Sequence, residues 1–297
     1  MGISSLIKGT VFFQFQNMKK VVFYNTKGGT GKTTMCYNYG WYLAEKRNKK
    51  ILFLDFDPQI NLVQSFNFTK QAKEFNFEKF ILKYLHKEPV NFADYLIKIN
   101  DNIDLLPSSN NISLLEEYLT DYLLERTFQD NKLYQAINRN KIIKNILNEH
   151  IGDYNYDYIL IDSQPNYSLL STTSIIFAKN IIVTLKPEMF SFIDIKYLIK
   201  IIDNINSKFQ TNAKIVCIMI NAYERRKKIA AVIIDKLENT YGNSIVILKK
   251  KIRYLSQYQV SISLNKEPVF ITFPGSEASA ELIEVFEEMD NLVDNLD

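Results

Sequence analysis

The sequence predicts an α/β protein with a doubly wound, mostly parallel β-sheet and helices on both faces. Short apolar runs rich in β-branched residues alternate with segments of helical periodicity along the chain. The runs are apolar at consecutive positions, which is typical of strands covered by helices on both sides. Strand–helix alternation predicts parallel βαβ units, and such sheets bind ligands beyond the carboxyl ends of their strands.

Seven strands and seven helices follow from this pattern. The strands are expected over 21–25, 51–55, 103–106, 158–162, 181–185, 215–220 and 245–248. The helices are expected over 33–47, 113–125, 141–150, 169–178, 192–206, 229–239 and 281–296. No repeat or Gly/Ser linker divides the chain, so we expect a short N-terminal extension over 1–19 and a single domain over 20–297.

The segment 66–101 is the least regular part of the chain. It is dense in aromatic residues: Phe66, Phe68, Phe75, Phe77, Phe80 and Tyr84. We expect these rings to form a local core rather than a platform on which nucleic-acid bases stack.

Composition excludes several classes of protein. With 9 glycines and 7 prolines in 297 residues, the chain is neither collagen-like nor a Gly/Pro-rich disordered polymer. Two cysteines exclude a disulfide scaffold and a four-cysteine zinc site. No run approaches the ~18 apolar residues of a spanning helix, so a cytoplasmic location is expected.

The formal net charge of +3 is unevenly distributed. Residues 277–297 hold eight acidic residues and no Lys or Arg, so the remaining chain is strongly basic. The predicted helix over 281–296 places its apolar residues on one stripe with acids opposite. A helix that lies on a membrane surface carries Lys or Arg on its polar face. We therefore expect this helix to pack on the domain and not on a membrane.

A glycine cluster lies between the first predicted strand and the first predicted helix. Gly28, Gly29 and Gly31 are a third of all the glycine in the chain. Glycines permit a tight loop whose backbone N–H groups surround phosphate oxygens, and the N-terminus of the next helix adds its own donors. In such a loop Lys32 reaches the β- and γ-phosphates and the Thr33 hydroxyl binds Mg²⁺.

This loop departs from the general pattern G-x-x-x-x-G-K-[ST]. Thr26 stands where the pattern has its first glycine, and Lys27 adds a second lysine five residues before Lys32. A second lysine adds positive charge where the transition state of phosphoryl transfer is most negative. The alternative is a glycine-rich turn with a solvated lysine, but the order of strand, loop, Gly-Lys-Thr and helix favours the phosphate loop.

Carboxylates end two of the predicted strands. Asp57 directly follows the second strand, where a carboxylate can face a γ-phosphate and orient a water; a turn or helix-cap aspartate is the alternative. Asp55, two residues earlier on the same face, is expected to be structural. Asp162 ends the apolar run 158–161 and is expected to hold Mg²⁺ through water, with a buried structural aspartate as the alternative.

These motifs resemble the ParA/MinD superfamily of P-loop ATPases and, within it, the ParA/Soj-type DNA-partition ATPases. The segment 27–34, Lys-Gly-Gly-Thr-Gly-Lys-Thr-Thr, is similar to the deviant Walker A motif of that superfamily. Four further segments resemble elements of the family: residues 54–59, 105–108, 156–162 and 186–191. The family usually has Asp-x-Pro-Pro where this chain has Asp162-Ser163-Gln164-Pro165, which adds the Gln164 amide near the γ-phosphate region.

The resemblance implies an ATPase that uses ATP and Mg²⁺ and forms a nucleotide-sandwich homodimer. It gives catalytic roles to Lys27, Lys32 and Asp57, with Lys27 reaching the partner's phosphates. It assigns nucleotide binding to Gly28, Gly29, Thr30, Gly31, Lys32, Thr33, Thr34 and Asn221, the last beside adenine. It assigns the metal to Thr33 and Asp162, with Asp57 a further ligand through water. About 20 residues precede the loop, which resembles the shorter ParA type without an operator-binding domain.

Two basic clusters follow consecutive predicted strands. The first is Arg225, Arg226, Lys227 and Lys228, and the second is Lys249, Lys250, Lys251 and Arg253. ParA-type proteins carry DNA-binding residues in corresponding regions, so the resemblance implies non-specific DNA binding, a nucleoid-associated location and a ParB-like centromere-binding partner. A solvated charged face is the alternative.

Other functions on the same fold are also considered. A positioning ATPase for a non-DNA cargo or a division site has the same motifs and a different partner. A reductase of this fold needs cysteines for an iron–sulfur cluster, and Cys36 and Cys217 are poorly placed for one. A tyrosine autokinase needs a C-terminal tyrosine cluster, and no tyrosine lies beyond Tyr258.

Overall fold

The computed structural model describes residues 18–130, 137–224 and 226–296. Within this part of the chain, eight strands form one sheet in the order β3-β4-β2-β5-β1-β6-β7-β8. The strands are β1 Lys19–Phe23, β2 Ile51–Phe56, β3 Ile97–Lys98, β4 Ile103–Leu106, β5 Tyr158–Ser163, β6 Asn180–Leu185, β7 Lys214–Ile220 and β8 Val246–Ile247. Every pairing is parallel except that of β3 with β4.

Twelve α-helices surround the sheet in the described residues. They are α1 Lys32–Arg47, α2 Asn61–Ser65, α3 Thr69–Glu74, α4 Phe77–Leu85, α5 Leu115–Asp130, α6 Ile137–Ile151, α7 Leu169–Ala178, α8 Ser191–Phe209, α9 Lys228–Tyr241, α10 Ser256–Val260, α11 Val269–Thr272 and α12 Glu277–Asp294. Short 3₁₀ turns lie at Phe92–Tyr95 and Asn110–Leu114, and a π-helical turn at Ser261–Asn265. No helix among these described segments combines the length and apolarity needed to cross a membrane.

Two hydrophobic layers cover the faces of the sheet. One layer joins the sheet to helices α4 to α9, and the other joins it to α1, α2, α3, α10, α11 and α12. The apolar stripe of α12 enters the second layer, where Leu282, Val285 and Phe286 are completely buried. Because β1 and β5 are adjacent at the centre of the sheet, the loops after them meet at one place on the carboxyl edge.

The predicted doubly wound parallel sheet is confirmed, with differences at its margins. The first strand ends at Phe23 rather than at residue 25, and the Asn25 side chain donates to the carbonyl of Thr184 at 2.8 Å. The two-residue edge strand β3 was not predicted, because a pairing that short leaves no periodicity. The segment 66–101 is more regular than expected, because it contains α3, α4 and a 3₁₀ turn.

The aromatic residues of that segment pack in the protein interior, but they are divided between the two hydrophobic layers and do not form one local core: Phe66 and Phe68 join the layer of α1, and Phe77, Phe80 and Tyr84 join the layer of α4. Phe66, Phe77 and Phe80 are buried, and the ring of Phe56 stacks on Phe77 at 4.7 Å. Phe68 and Tyr84 pack against the same layers while partly exposed. Phe75 is the exception, since 47 % of it is exposed.

Candidate nucleotide-binding site

The glycine cluster forms a loop between β1 and α1 that faces the carboxyl edge of the sheet. Gly29 and Gly31 have φ values of +72° and +89°, a region that L side chains rarely adopt. Gly31 is the residue before the first turn of α1, so unpaired N–H groups of that helix face the loop. The loop therefore has the backbone and the donors of a phosphate cradle.

Asn221 fixes the far side of the loop. Its Nδ2 donates to the Thr30 carbonyl at 2.8 Å. A Cβ atom on Gly31 would lie 2.1 Å from the same Nδ2, so a larger residue cannot occupy the position without displacing Asn221. Gly31 is thus required both by its backbone conformation and by the close approach of the residue that follows β7.

Lys32 and Thr33 begin α1 and point into the site. Lys32 Nζ donates to the carbonyl of Lys27 at 3.1 Å and the residue is 6 % exposed. Burial lowers the pKa of Lys32, and the nearby charges of Asp162 and Asp57 act in the opposite direction. Thr33 Oγ1 donates to Asp162 Oδ2 at 2.6 Å, which joins the loop to the end of β5.

The residues around Thr33 fit a magnesium ion. Asp162 is fully buried, and its Oδ1 has no hydrogen-bond partner among the described residues. Burial raises the pKa of Asp162, so a cation beside it would compensate the buried charge. A hydroxyl and a carboxylate are oxygen ligands of the kind that Mg²⁺ accepts together with water and phosphate oxygens. No group of three or more His, Cys, Asp or Glu able to hold a metal occurs in the described ranges.

The two carboxylates at the end of β2 have different environments. Asp55 is completely buried and accepts the N–H groups of Asp57 (3.1 Å) and Val63 (3.0 Å). Burial, followed by the charge of Asp162, raises the pKa of Asp55. Asp57 accepts the N–H of Gln59 at 3.0 Å and lines the cavity beside the loop. Asp55 therefore orders the loop after β2, whereas Asp57 faces the space that a phosphate would occupy.

Lys27 is bound within its own chain. Its Nζ lies 2.7 Å from Glu188 Oε2, and Glu188 Oε1 lies 2.8 Å from Lys186 Nζ. Hydrogen bonds from Lys186 and then Lys27 lower the pKa of Glu188 to about 2. The side chains of Lys27 and Glu188 remain 38 % and 41 % exposed, so this ion pair lies at the surface of the site.

One cavity is lined by the loop, and a second lies beside the loops after β6 and β7. The larger, about 560 Å³, is lined by the loop glycines, Lys32, Thr33, Thr34 and Asp57, and by the C-terminal residues Ile262, Ser263 and Lys266. The smaller, about 320 Å³, lies beyond Asn221 and has apolar walls from Pro187, Met189, Ala222 and Ile229. Their arrangement offers one space for phosphates and one for an apolar or aromatic group.

The two basic clusters lie next to each other in the structure, but members of the second cluster form ion pairs with α12. A parallel bridge joins Tyr223 to Arg253, so the loops after β7 and β8 are adjacent. Arg253 forms ion pairs with Glu277 and Glu281 of α12. This member of the second cluster is therefore held by the acidic helix.

Each cluster has one further member that forms an ion pair. Lys250 pairs with Glu284 of α12, and Lys227 of the first cluster pairs with its neighbour Glu224 at 2.6 Å. Glu288 of α12 also accepts the backbone N–H groups of the segment 249–250. Within the described residues, the cluster members that make no ion pair are Arg226, Lys228, Lys249 and Lys251. Arg225 lies outside the described residues.

Several residues of the site were missed by sequence reasoning. Thr184 lies behind the loop, where its Oγ1 is 3.1 Å from Thr30 Oγ1. Gln64 and Lys266 line the larger cavity without belonging to any motif. Only the three-dimensional packing reveals these positions.

Gln164 does not take the place expected for it near the phosphates. Its amide donates to the Ser168 hydroxyl at the start of α7, and Pro165 lines the larger cavity instead. The Ser168 side chain also caps α7 by accepting the N–H of Ser171. Gln164 therefore bonds the N-cap residue of α7. Sequence reasoning missed this contact because Ser168 lies outside the motif of residues 162–165.

The parallel sheet, the positive-φ glycines and the Thr33–Asp162 hydrogen bond together define a P-loop nucleotide-binding protein. A family model described as an AAA domain matches residues 18–217, which is more than half of the chain. The match begins beside β1 and ends within β7, so it includes the loop and the ends of β2 and β5.

Similar proteins identify the family within this class of P-loop proteins. The chromosome-partitioning ATPase Soj of Treponema pallidum is 30% identical over 230 residues, which are 76% of this chain and 80% of that protein. The virulence plasmid ParA family protein pGP5-D of Chlamydia psittaci is 29% identical over 279 residues, 92% of this chain and 95% of that protein. The chain belongs to the ParA family of P-loop ATPases. A solved ATP complex of a Cyanothece McdA variant has the same fold, with a TM-score of 0.74, 19% identity and coverage of 94% of this chain and 98% of that one.

Proposed function

We propose that this protein is a DNA-partition ATPase that hydrolyses ATP with Mg²⁺ and forms an ATP-sandwich homodimer. In this proposal the dimer binds DNA non-specifically, and a ParB-like centromere-binding protein stimulates hydrolysis. The observation that carries the proposal is the loop itself, with Lys32 and Thr33 beside Asp162 and with Lys27 at the exposed rim. Membership of the ParA family supports it.

Each residue of the site has a role in the proposed reaction. The loop N–H groups and Lys32 hold the β- and γ-phosphates, and Asn221 keeps the loop in its binding conformation. Thr33 and Asp162 hold Mg²⁺, which when bound neutralises charge on the phosphate oxygens. Asp57 orients the attacking water toward the γ-phosphate. The smaller cavity beyond Asn221 receives the adenine.

Lys27 couples the nucleotide to dimer formation in this proposal. The Lys27 ammonium is at the rim of the site and its side chain is 38 % exposed, so it can exchange Glu188 for the phosphates of a facing subunit. Hydrolysis removes the γ-phosphate and with it part of the charge that holds two subunits together. The dimer therefore forms with ATP and separates after hydrolysis.

In this proposal the basic cluster after β7 contributes more to DNA binding than the cluster after β8. Arg226 and Lys228 make no ion pair with a described residue, whereas Lys250 and Arg253 are held by α12. A dimer doubles the basic surface, so avidity links ATP to DNA binding. A nucleoid-associated location follows from such binding.

A positioning ATPase for a non-DNA cargo is the second candidate. The pairing of Lys250 and Arg253 with Glu284, Glu277 and Glu281 favours it, because it reduces the positive surface available to DNA. Its motifs for ATP and Mg²⁺ are the same. The two candidates differ in their partner, which is a ParB-like centromere-binding protein for the first and a protein of a non-DNA cargo or division site for the second.

One experiment tests the proposal. ATP hydrolysis is measured with Mg²⁺ alone, with duplex DNA, and with DNA plus the product of the neighbouring gene. We expect slow intrinsic turnover, because a stimulating group from a partner changes related reactions by about 10³–10⁵-fold. Binding to unrelated duplexes should increase with ATP and fall with salt. Retained hydrolysis that neither duplex DNA nor a centromere-binding partner stimulates favours the positioning ATPase, and no hydrolysis under any condition refutes both.

A further inference from the structure

A second concentration of positive charge lies at the opposite edge of the sheet from the phosphate loop. Lys20 is at the amino end of β1, and Lys179 directly precedes β6. Val21 pairs with Asn180, so Lys179, just before β6, is level with Lys20 on the adjacent strand β1. Lys141 and Lys144 lie one turn apart on α6, which packs on the same layer. We call Lys20, Lys141, Lys144 and Lys179 the amino-edge lysines.

The amino-edge lysines repel one another. Lys20 Nζ donates to Asn148 Oδ1 of α6 at 2.8 Å and lies 4.3 Å from the Phe177 ring centroid. Burial, together with the charges of Lys144 and Lys179, lowers the pKa of Lys20 to about 8. Burial and the charges of Lys179 and Lys141 also lower the pKa of Lys144. A protein gains no stability from such repulsion.

No carboxylate of the described residues compensates this charge. None of the four ammonium groups has a carboxylate within ion-pair distance in that part of the chain. The amino-edge lysines thus differ from Arg253, which two carboxylates of α12 hold.

A small cavity adjoins two of the amino-edge lysines. It measures about 160 Å³ and is lined by Lys141, Lys144, Asn145, Ile176, Phe209 and Thr211. The Thr211 Oγ1 is buried and has no hydrogen-bond partner among the described residues. An unpaired buried hydroxyl beside two lysines is a donor that an anion would satisfy.

We propose that Lys141, Lys144 and Thr211, which line this cavity, bind a phosphate group at a site separate from the nucleotide, with Lys20 and Lys179 as further positive charges at the same edge of the sheet. Lysine ammonium groups bind phosphate as point charges, and several together are needed to hold it in water. The phosphate belongs either to a DNA backbone or to a free phosphate ion, because both present the same oxygens. The site lies at the amino edge, so it does not depend on the ATPase function proposed above.

A structural role for these lysines is the competing explanation. Lys179 occupies the C-cap of α7 with φ +63°, where a cation is favourable toward the helix dipole. That explanation accounts for Lys179 alone. It predicts a loss of stability when Lys179 is neutralised and no effect on anions when Lys141 and Lys144 are.

The first arm of the test measures DNA. Binding of a labelled duplex to the full-length chain is followed by fluorescence anisotropy at several salt concentrations without nucleotide. The Lys141→Gln/Lys144→Gln variant should bind several-fold more weakly, and its salt slope should fall by about 1 for each phosphate that is no longer neutralised. The matched control is Lys70→Gln/Lys73→Gln on α3, whose two exposed lysines lie on the other face of the sheet.

The second arm measures inorganic phosphate by calorimetry in the Lys32→Met background, where the phosphate loop lacks its lysine. A saturable signal that disappears in Lys141→Gln/Lys144→Gln identifies a free phosphate site, and weaker binding in the DNA arm alone identifies backbone phosphates. Lys179→Asn, which suits the left-handed conformation, provides a second variant if the first does not fold. Unchanged DNA and phosphate binding in folded variants, or an equal effect of the α3 control, overturns the proposal.

Discussion

The ammonium group of Lys27 lies 2.7 Å from a carboxylate oxygen of Glu188, although 161 positions separate the two residues in the sequence. Glu188 also holds Lys186, so one carboxylate lies between two cations at the rim of the phosphate loop. The lysine that the proposed dimer needs is therefore engaged within its own subunit, and the proposal requires its release from Glu188 before the dimer forms.

Replacing Lys27 separates nucleotide binding from dimer formation. Lys27→Ala should retain ATP binding, because Lys32 and the loop N–H groups remain, but lose ATP-dependent dimerisation and hydrolysis. Light scattering with and without ATP measures the dimer, and Lys186→Ala is the matched control because it removes the other cation on Glu188. An ATP-dependent dimer in Lys27→Ala contradicts the role.

Replacing Glu188 should have the opposite effect. Glu188→Gln frees Lys27, so dimers should form at a lower ATP concentration. The gain is limited to about fivefold, because an exposed ion pair is worth at most about 1 kcal/mol. The midpoint of an ATP titration followed by light scattering gives the value, with Asp101→Asn as a control that breaks the exposed pair with Lys98 far from the site. A midpoint at higher ATP would show that Glu188 assists the dimer.

Asp57 is expected to act on hydrolysis and not on binding. Asp57→Ala should bind ATP and accumulate as the ATP dimer on DNA, because the water is no longer oriented. Hydrolysis should fall by at least about 10²-fold, the lower end of the effect of a positioned acid–base group. Phosphate release and DNA retention are measured on the same sample. Rapid turnover by this variant rules out the assigned role.

Gly31 and Gly28 differ in what a methyl group would meet. Gly31→Ala has to adopt φ +89° and to displace Asn221 Nδ2, whereas nothing lies within 4 Å of a Cβ on Gly28. The free energy of unfolding should fall by about 1–3 kcal/mol more for Gly31→Ala than for Gly28→Ala, from left-handed strain and one broken hydrogen bond. Denaturant unfolding measures this difference, and equal values would mean that the loop relaxes freely.

The two basic clusters should contribute unequally to DNA binding. Arg226→Gln/Lys228→Gln removes cations that have no ion partner among the described residues, so affinity and salt slope should both fall, by about 1 in slope per phosphate. Lys250→Gln/Arg253→Gln should have a smaller effect, because α12 already holds both side chains. Anisotropy titrations with ATP compare the pairs. A larger effect from the second pair would mean that DNA displaces the α12 carboxylates.

Much of the fold and the centre of the site could be predicted from the sequence. Local sequence patterns predict the strand and helix on either side of the phosphate loop. They also predict Asp162 at the end of β5, because each of these features depends on residues that are contiguous in the chain. The Lys27–Glu188 pair, Thr184 behind Thr30, and the amino-edge lysines depend on which strands become neighbours. Single-sequence patterns do not carry strand order, so these contacts required the structure.

The same limit applied to charge. The sequence separates a basic body from an acidic C-terminal segment, and the structure folds Glu277, Glu281 and Glu284 onto Arg253 and Lys250. Packing of α12 makes them one surface with alternating charge.

Helix α12 consequently constrains how this protein can evolve. Its inner face fills a core layer and its outer carboxylates hold the loop after β8, so each of these outer positions has a partner more than twenty residues away. A carboxylate lost from α12 uncovers a cation beside the candidate DNA surface without touching that surface. Substitutions of the α12 carboxylates would therefore change the positive charge exposed at this surface in small steps, while the lysines and arginines themselves stay unchanged.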